Sequence, residues 1–128
     1  MTPEAQLLLD THVFLWWRGN PDRIAPAARE AIAEADLVFV SVVSAWEAAV
    51  KASLGKLDLP ASFEAGVVES EFEKLLVSFS HCAMISTLPW HHGDPFDRML
   101  VAQARAEALT IVTHDRHFEP YDVAVIWT

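Results

Sequence analysis

A chain of 128 residues has the length of one compact domain, and a hydrophobic content of 52% with a mean hydropathy of +0.22 excludes a disordered segment. No apolar run reaches the roughly 18–20 residues that span a bilayer, and the start, MTPEAQLLLD, carries Glu4 where a signal peptide is basic. The single cysteine, Cys82, excludes an intrachain disulfide and fits a reducing cytosol, while a net charge of −9 opposes nonspecific nucleic-acid binding unless bound cations reverse the local field.

Residues 6–9 (QLLL) read as a short buried strand ending at Asp10. Residues 12–18 (HVFLWWR) begin a short helix, stopped by the Gly19-Asn20-Pro21 turn signal. Residues 26–35 form a helix with Pro26 in its first turn, and 37–41 (LVFVS) a second buried strand. A helix over 44–54 follows, with Ser44 and Glu47 matching a capping box and Gly55 a stop. A helix over 62–73, weakened by Gly66, leads to a third strand at 75–79 (LLVSF) and a short helix near 81–87. Asp94-Pro95 opens a helix to about Ala108, with Asp94 as N-cap. Strands at 109–113 (LTIVT) and 123–127 (VAVIW) close the chain.

Strands alternate with helices, and the strands are continuously apolar. That pattern specifies an α/β fold with a parallel sheet covered on both faces, as one domain over 1–128. Ligands of such sheets bind beyond the carboxyl ends of the strands. Asp10 and Asp115 lie just past two of those ends, and Glu47 and Asp97 lie in first turns of helices. Four carboxylates gathered at one rim would need a cation, and all-oxygen donors suit Mg²⁺ or Mn²⁺ rather than zinc.

Each acid also has a plainer reading. Asp10 and Asp115 can be strand-ending turn residues, although a charge directly after an apolar run is costly unless it is paired or metal-bound. Glu47 is explained equally by the capping box with Ser44. Asp97 at the third helical position complements the helix dipole, and Asp94 can exchange roles with it. Thr11, Thr113, Ser41 and Ser44 can either hold a carboxylate or satisfy turn backbone. Lys51 reads first as an i+4 ion pair with Glu47, and Arg98 as a solvated charge, with substrate contact the alternative for both. His81, Cys82, His91 and His92 do not match zinc spacings and read as structural or surface groups, while His114 and His117 flank Asp115 within reach of a phosphate. With four glycines in the chain there is no phosphate-binding glycine loop.

The segments LLLDTHVFLWW, VSVVSAWEAAVKASLGKL and LPWHHGDPFDRMLVAQARAEALTIVTHD, with Phe118 and Tyr121 in a closing F-x-x-Y, resemble the PIN-domain ribonucleases and, within them, VapC-type toxins of bacterial toxin–antitoxin pairs. The resemblance implies a sheet in the order 3-2-1-4-5 and an acidic site made of Asp10, Glu47, Asp97 and Asp115. It also implies Mg²⁺ or Mn²⁺, a homodimer, a cognate antitoxin and a cytoplasmic setting. His114 departs from the Arg or Asn often found before the last Asp in similar proteins, which bears on substrate contact. The implied reaction is hydrolysis of an RNA phosphodiester by metal-activated water, leaving a 5′-phosphate and a 3′-hydroxyl. Three rivals are a phosphohydrolase using Asp10 as nucleophile, a metal-free ribonuclease using His91 or His92, and a PIN-like domain that only binds a partner. Trp16 and Trp17 point about 100° apart on a helix, and one of them is expected to line an apolar groove for the antitoxin.

Overall fold

The computed structural model describes residues 6–59 and 62–128, so residues 1–5, on which the signal-peptide expectation rests, lie outside it. In chain order it contains β1 (Gln6–Leu9), α1 (Thr11–Gly19), a 3₁₀ turn (Pro21–Arg23), α2 (Pro26–Glu34), β2 (Leu37–Ser41), α3 (Val42–Ser53) and α4 (Phe63–Glu69). There follow β3 (Glu73–Leu75), α5 (Phe79–Ile85), α6 (Pro95–Glu107), β4 (Thr110–Thr113), a 3₁₀ turn (Arg116–Phe118) and β5 (Val125–Trp127). All pairings are parallel, in the order β3-β2-β1-β4-β5. No helix among the described residues is long and apolar enough to cross a membrane.

The central strand is buried on both faces because its neighbours are helices above and below. Leu7 and Leu9 join Val13 and Phe14 of α1, Ala28 and Ile32 of α2, and Val67 of α4 in one core. Leu8 faces the other way, with Val43 of α3, Leu100, Val101 and Ala104 of α6, Phe118 and Tyr121. A parallel strand of period two, buried on both sides, requires the unbroken LLL run. Its register against β4, Leu8 on Ile111 and Leu9 on Val112, continues in the Asp10 amide, which donates to the Val112 carbonyl at 3.0 Å. The end of β1 is therefore fixed beside the end of β4.

Several boundaries differ from the sequence reading. The 44–54 helix begins two residues earlier, at Val42, directly off β2, and Ser41 is its cap, accepting from the Val43 amide at 3.0 Å. Ser44 and Glu47 thus form no capping box and lie inside the helix. Gly55 is at φ +71°, the left-handed position that ends it. The 62–73 helix stops at Glu69 and the third strand lies at 73–75 instead of 75–79, so the apolar residues Leu76 and Val77 fall outside it. The short helix sits at 79–85, capped by Ser78, whose hydroxyl accepts from the His81 amide while the Ser78 amide donates to His81 Nδ1. The Asp94-Pro95 start holds, and α6 ends at Ala108 in the left-handed conformation.

Candidate metal centre

β1 delivers Asp10 to the carboxyl edge of the sheet as the first residue after the strand. Asp10 has the backbone of a cap for α1, yet its carboxylate makes no cap hydrogen bond. Instead the Thr113 hydroxyl, at the end of β4, donates to Asp10 Oδ2 at 2.7 Å. The same Thr113 oxygen accepts from the Asp115 amide at 2.9 Å. One threonine therefore ties the two strand-end acids together.

Glu47 is buried one and a half turns into α3. Its Oε1 and the Ser44 hydroxyl both lie 2.8 Å from the Thr11 hydroxyl. A carboxylate accepts only, so Thr11 donates to Glu47 and Ser44 donates to Thr11. Lys51 donates to Glu47 Oε2 at 2.5 Å, the expected i+4 pair. Burial works to lower the Lys51 pKa, but the bond from Glu47 and the charges of Glu47, Asp94 and Asp97 raise it on balance.

Asp97 occupies the first turn of α6. Asp94 is the cap, with Oδ1 accepting from the Phe96 and Asp97 amides at 2.8 and 3.2 Å, which leaves the Asp97 carboxylate outside the cap. Burial, reinforced by the negative charges of Asp10, Asp94, Glu47 and Asp115, pushes Asp97 up to about 8. Burial also raises Asp10, with Glu47 adding to the rise and Thr113 and His12 opposing it. Five carboxylates thus share one electrostatic neighbourhood, drawn from α3, from α6 and its cap, and from the ends of β1 and β4.

Two histidines belong to this neighbourhood: His92, which the sequence presented as a structural or surface group, and His117, expected beside Asp115. His92 Nε2 lies 3.1 Å from Asp97 Oδ2, and His117 Nδ1 lies 2.8 Å from Asp115 Oδ1. The His92 and His117 rings stack at 4.2 Å, with 4° between their planes. The donor atoms of His92, Asp94 and Asp97 lie within 4.8 Å of one another, a grouping that excludes Asp10, Glu47 and Asp115. It shares only Asp97 with the expected set. Asp94 Oδ1 is committed to the helix cap, while the charges of Asp10 and Glu47 also reach Asp97.

Arg98 does not reach the acids. It is buried on the opposite side of α6, donating to the Pro89 carbonyl at 3.0 Å, to the Tyr121 hydroxyl at 3.2 Å and to the Ile85 carbonyl at 3.4 Å. Its guanidinium stacks on Trp90 at 4.2 Å. Adjacent helical positions diverge by about 100°, so Arg98 points away from the Asp97 carboxylate, and it is buried rather than solvated. Trp16 and Trp17 diverge likewise. Trp16 lines a cavity with Asp10 and Asp115, and Trp17 packs on Phe72. A separate apolar groove beside α1 and α4 is lined by Phe14, Leu15, Gly19 and Phe63 among others.

The PIN domain model matches residues 7–124. Ribonuclease VapC22 of Mycobacterium tuberculosis is 32% identical over 129 residues, covering 93% of this chain and 97% of that protein. The fold is similar to that of VapBC2 from Rickettsia felis bound to a DNA fragment from its promoter, with a TM-score of 0.72 at 15% identity over 94% of this chain and 97% of the other. VapBC-5 from Mycobacterium tuberculosis gives a TM-score of 0.63 at 23% identity, covering 97% and 99% of the two chains. The chain belongs to the PIN-domain family, among the VapC-type relatives of ribonuclease VapC22.

Proposed function

We propose that this protein is a metal-dependent endoribonuclease, the toxin of a type II toxin–antitoxin pair, acting in the cytoplasm as a homodimer. The observation that carries the reading is Asp97, buried among four other carboxylates and held protonated up to about pH 8. A cluster that strained is relieved by a hard divalent cation. The donor chemistry suits such an ion: Asp10, Asp97 and Asp115 would supply oxygens, and Glu47 stands oriented by Thr11 and Lys51. When bound, Mg²⁺ or Mn²⁺ supplies Lewis acidity for hydrolysis of a phosphodiester.

The chain's own residues supply placement. Thr113 fixes the rotamer of Asp10 and the backbone of Asp115, so both strand-end acids keep one spacing. Lys51 and Thr11 occupy one oxygen each of Glu47, which leaves that carboxylate a positioning and electrostatic role. The relative named as a ribonuclease supports RNA as substrate, and the solved VapBC complexes support an antitoxin partner. The net charge of −9 favours a basic segment on that partner.

The test is cleavage of single-stranded RNA by the purified chain with Mg²⁺, with Mn²⁺ and with excess EDTA. Asp10→Asn and Asp97→Asn should each lower the rate by two orders of magnitude or more, because each removes a charged oxygen donor. Cleavage that persists in EDTA and leaves 2′,3′-cyclic ends would transfer the chemistry to His92 and His117 and sink the metal reading.

A further inference from the structure

We propose that the cavity beside Asp10 and Asp115 is a nucleobase subsite, holding one unpaired base of the RNA strand next to the bond that is cut. The inference rests on the nuclease reading above and adds to it the group that is recognised. The cavity, about 460 Å³, is lined by Asp10, His12, Trp16, His114, Asp115 and Arg116. That volume falls within the roughly 300–1,000 Å³ of small-ligand sites. Two lining residues are acids of the candidate centre, and the other four are aromatic or cationic. Such walls suit a planar base and its phosphate.

Trp16 is half-buried, with ring centroids 6.4 Å from His12 and 5.7 Å from His114, the latter edge-on. His12 and Trp16 stand at i and i+4 on α1, whose preceding residue is Asp10, so one rigid helix spaces the ring from the acid. His114 Nδ1 lies 3.0 Å from the Thr128 carbonyl oxygen. A carbonyl only accepts, so Nδ1 carries a proton and Nε2 is left for the edge of a base.

The two cations nearby, like Arg98, lie over indole rings and not beside carboxylates. Arg18, Arg29, Lys51 and Lys74 pair with carboxylates. Arg23 lies instead over the Trp16 ring at 4.7 Å, and Arg116 over Trp127 at 4.2 Å. Among the described residues neither makes a salt bridge. Each guanidinium keeps its donors available for phosphate oxygens while its face is held by an indole.

The test measures binding of a fluorescein-labelled single-stranded RNA, cut site mapped beforehand with the wild-type chain, by fluorescence anisotropy in an Asp97→Asn background. Stacking of about 1–3 kcal/mol per base corresponds to a weakening of roughly 5–150-fold, so Trp16→Ala should raise Kd by about tenfold or more, and Trp16→Phe should restore most of it. Removing the base beside the cut bond should cost the Trp16 protein the same factor and cost the Trp16→Ala protein nothing further. Arg116→Ala should weaken normal and abasic RNA equally. The subsite is overturned if Trp16→Ala binds within twofold of its parent, if the base and tryptophan losses add, or if Trp16→Ala weakens only a protein partner. Should Trp16→Ala not fold, His12→Ala, at an exposed position, carries the same comparison. A wild-type chain that neither binds nor cuts RNA overturns the nuclease reading itself, whereas variants that match a cutting wild type overturn the subsite alone.

Discussion

Asp97 shows how far a single carboxyl can be bent by its neighbours. Its folded pKa of about 8 stands well above the ordinary aspartate value of 3.8, so between those values the folded protein holds a proton that the unfolded chain releases. The stability this contributes is complete below about pH 4 and is lost as pH rises toward 8; Asp10, also raised, acts in the same direction. In EDTA the melting temperature should therefore fall by several degrees from pH 5 to pH 8.5, and Asp97→Asn should flatten that slope. An equal slope in the variant, followed by scanning calorimetry, would move the burden to other groups. Of these acids, Asp10 and Asp115 were legible because each follows an apolar run, where a bare charge is costly. Asp97 was separable from Asp94 because the Asp-Pro pair marks the cap. His92 was not legible, and His117 was legible only as a neighbour of Asp115, not as the ring that stacks on His92. They meet only when the turn after Arg116 folds back over the loop before α6, and no local spacing announces a contact made by two loops.

At the scale of elements, periodicity and caps found the six helices and four of the five strands in place, and connections decided the errors. β2 runs into α3 with no intervening loop, so Ser41 both ends the strand and caps the helix. The S-x-x-E match at Ser44 was coincidence, and those two side chains were free to face Thr11. β3 was misplaced because LLVSF looks like a buried strand, yet the ladder pairs Phe39 with Glu73 and Ser41 with Leu75. Arg98 misled in the opposite sense, since its brace depends on α5, the following loop and Tyr121 meeting around it. Removing it should leave the Pro89 carbonyl unpaired, whereas the Tyr121 hydroxyl keeps its bonds with His92 and the Ile85 carbonyl keeps the Leu88 amide. Arg98→Ala is expected to cost about 1–3 kcal/mol, the range for one buried acceptor left without its donor, with Arg98→Lys intermediate. Urea unfolding measures this directly, and a loss under about 0.5 kcal/mol would mean that water replaces the guanidinium. Asp94→Ala should cost about 1 kcal/mol through the cap.

The whole molecule sets a stable two-faced core against a destabilised rim. The sheet order places β1 and β4 side by side, so the fold itself concentrates charge at one edge, in a chain that is already at −9. Salt screens exposed charges within about 10 Å at 0.1 M ionic strength, but it reaches Asp10 and Asp97 poorly because both are buried. Sodium chloride should therefore relieve only a small part of the strain, whereas a divalent cation bound at the rim should relieve most of it. At one hundred times its dissociation constant, a ligand specific to the folded state adds about 2.7 kcal/mol, which for a domain of this size corresponds to roughly 10 °C in Tm. Mn²⁺ or Mg²⁺ at saturation should produce a shift of that order in the wild-type chain, and 0.5 M NaCl should produce much less. In Asp10→Asn and Asp97→Asn the metal shift should shrink to a few degrees or vanish, while the apo Tm of Asp97→Asn at pH 8 stays equal or rises. The combination is diagnostic because a merely structural acid gives the opposite pattern: its neutralisation lowers the apo Tm and leaves the metal shift intact. Equal metal shifts in wild type and both variants would place the cation away from this rim.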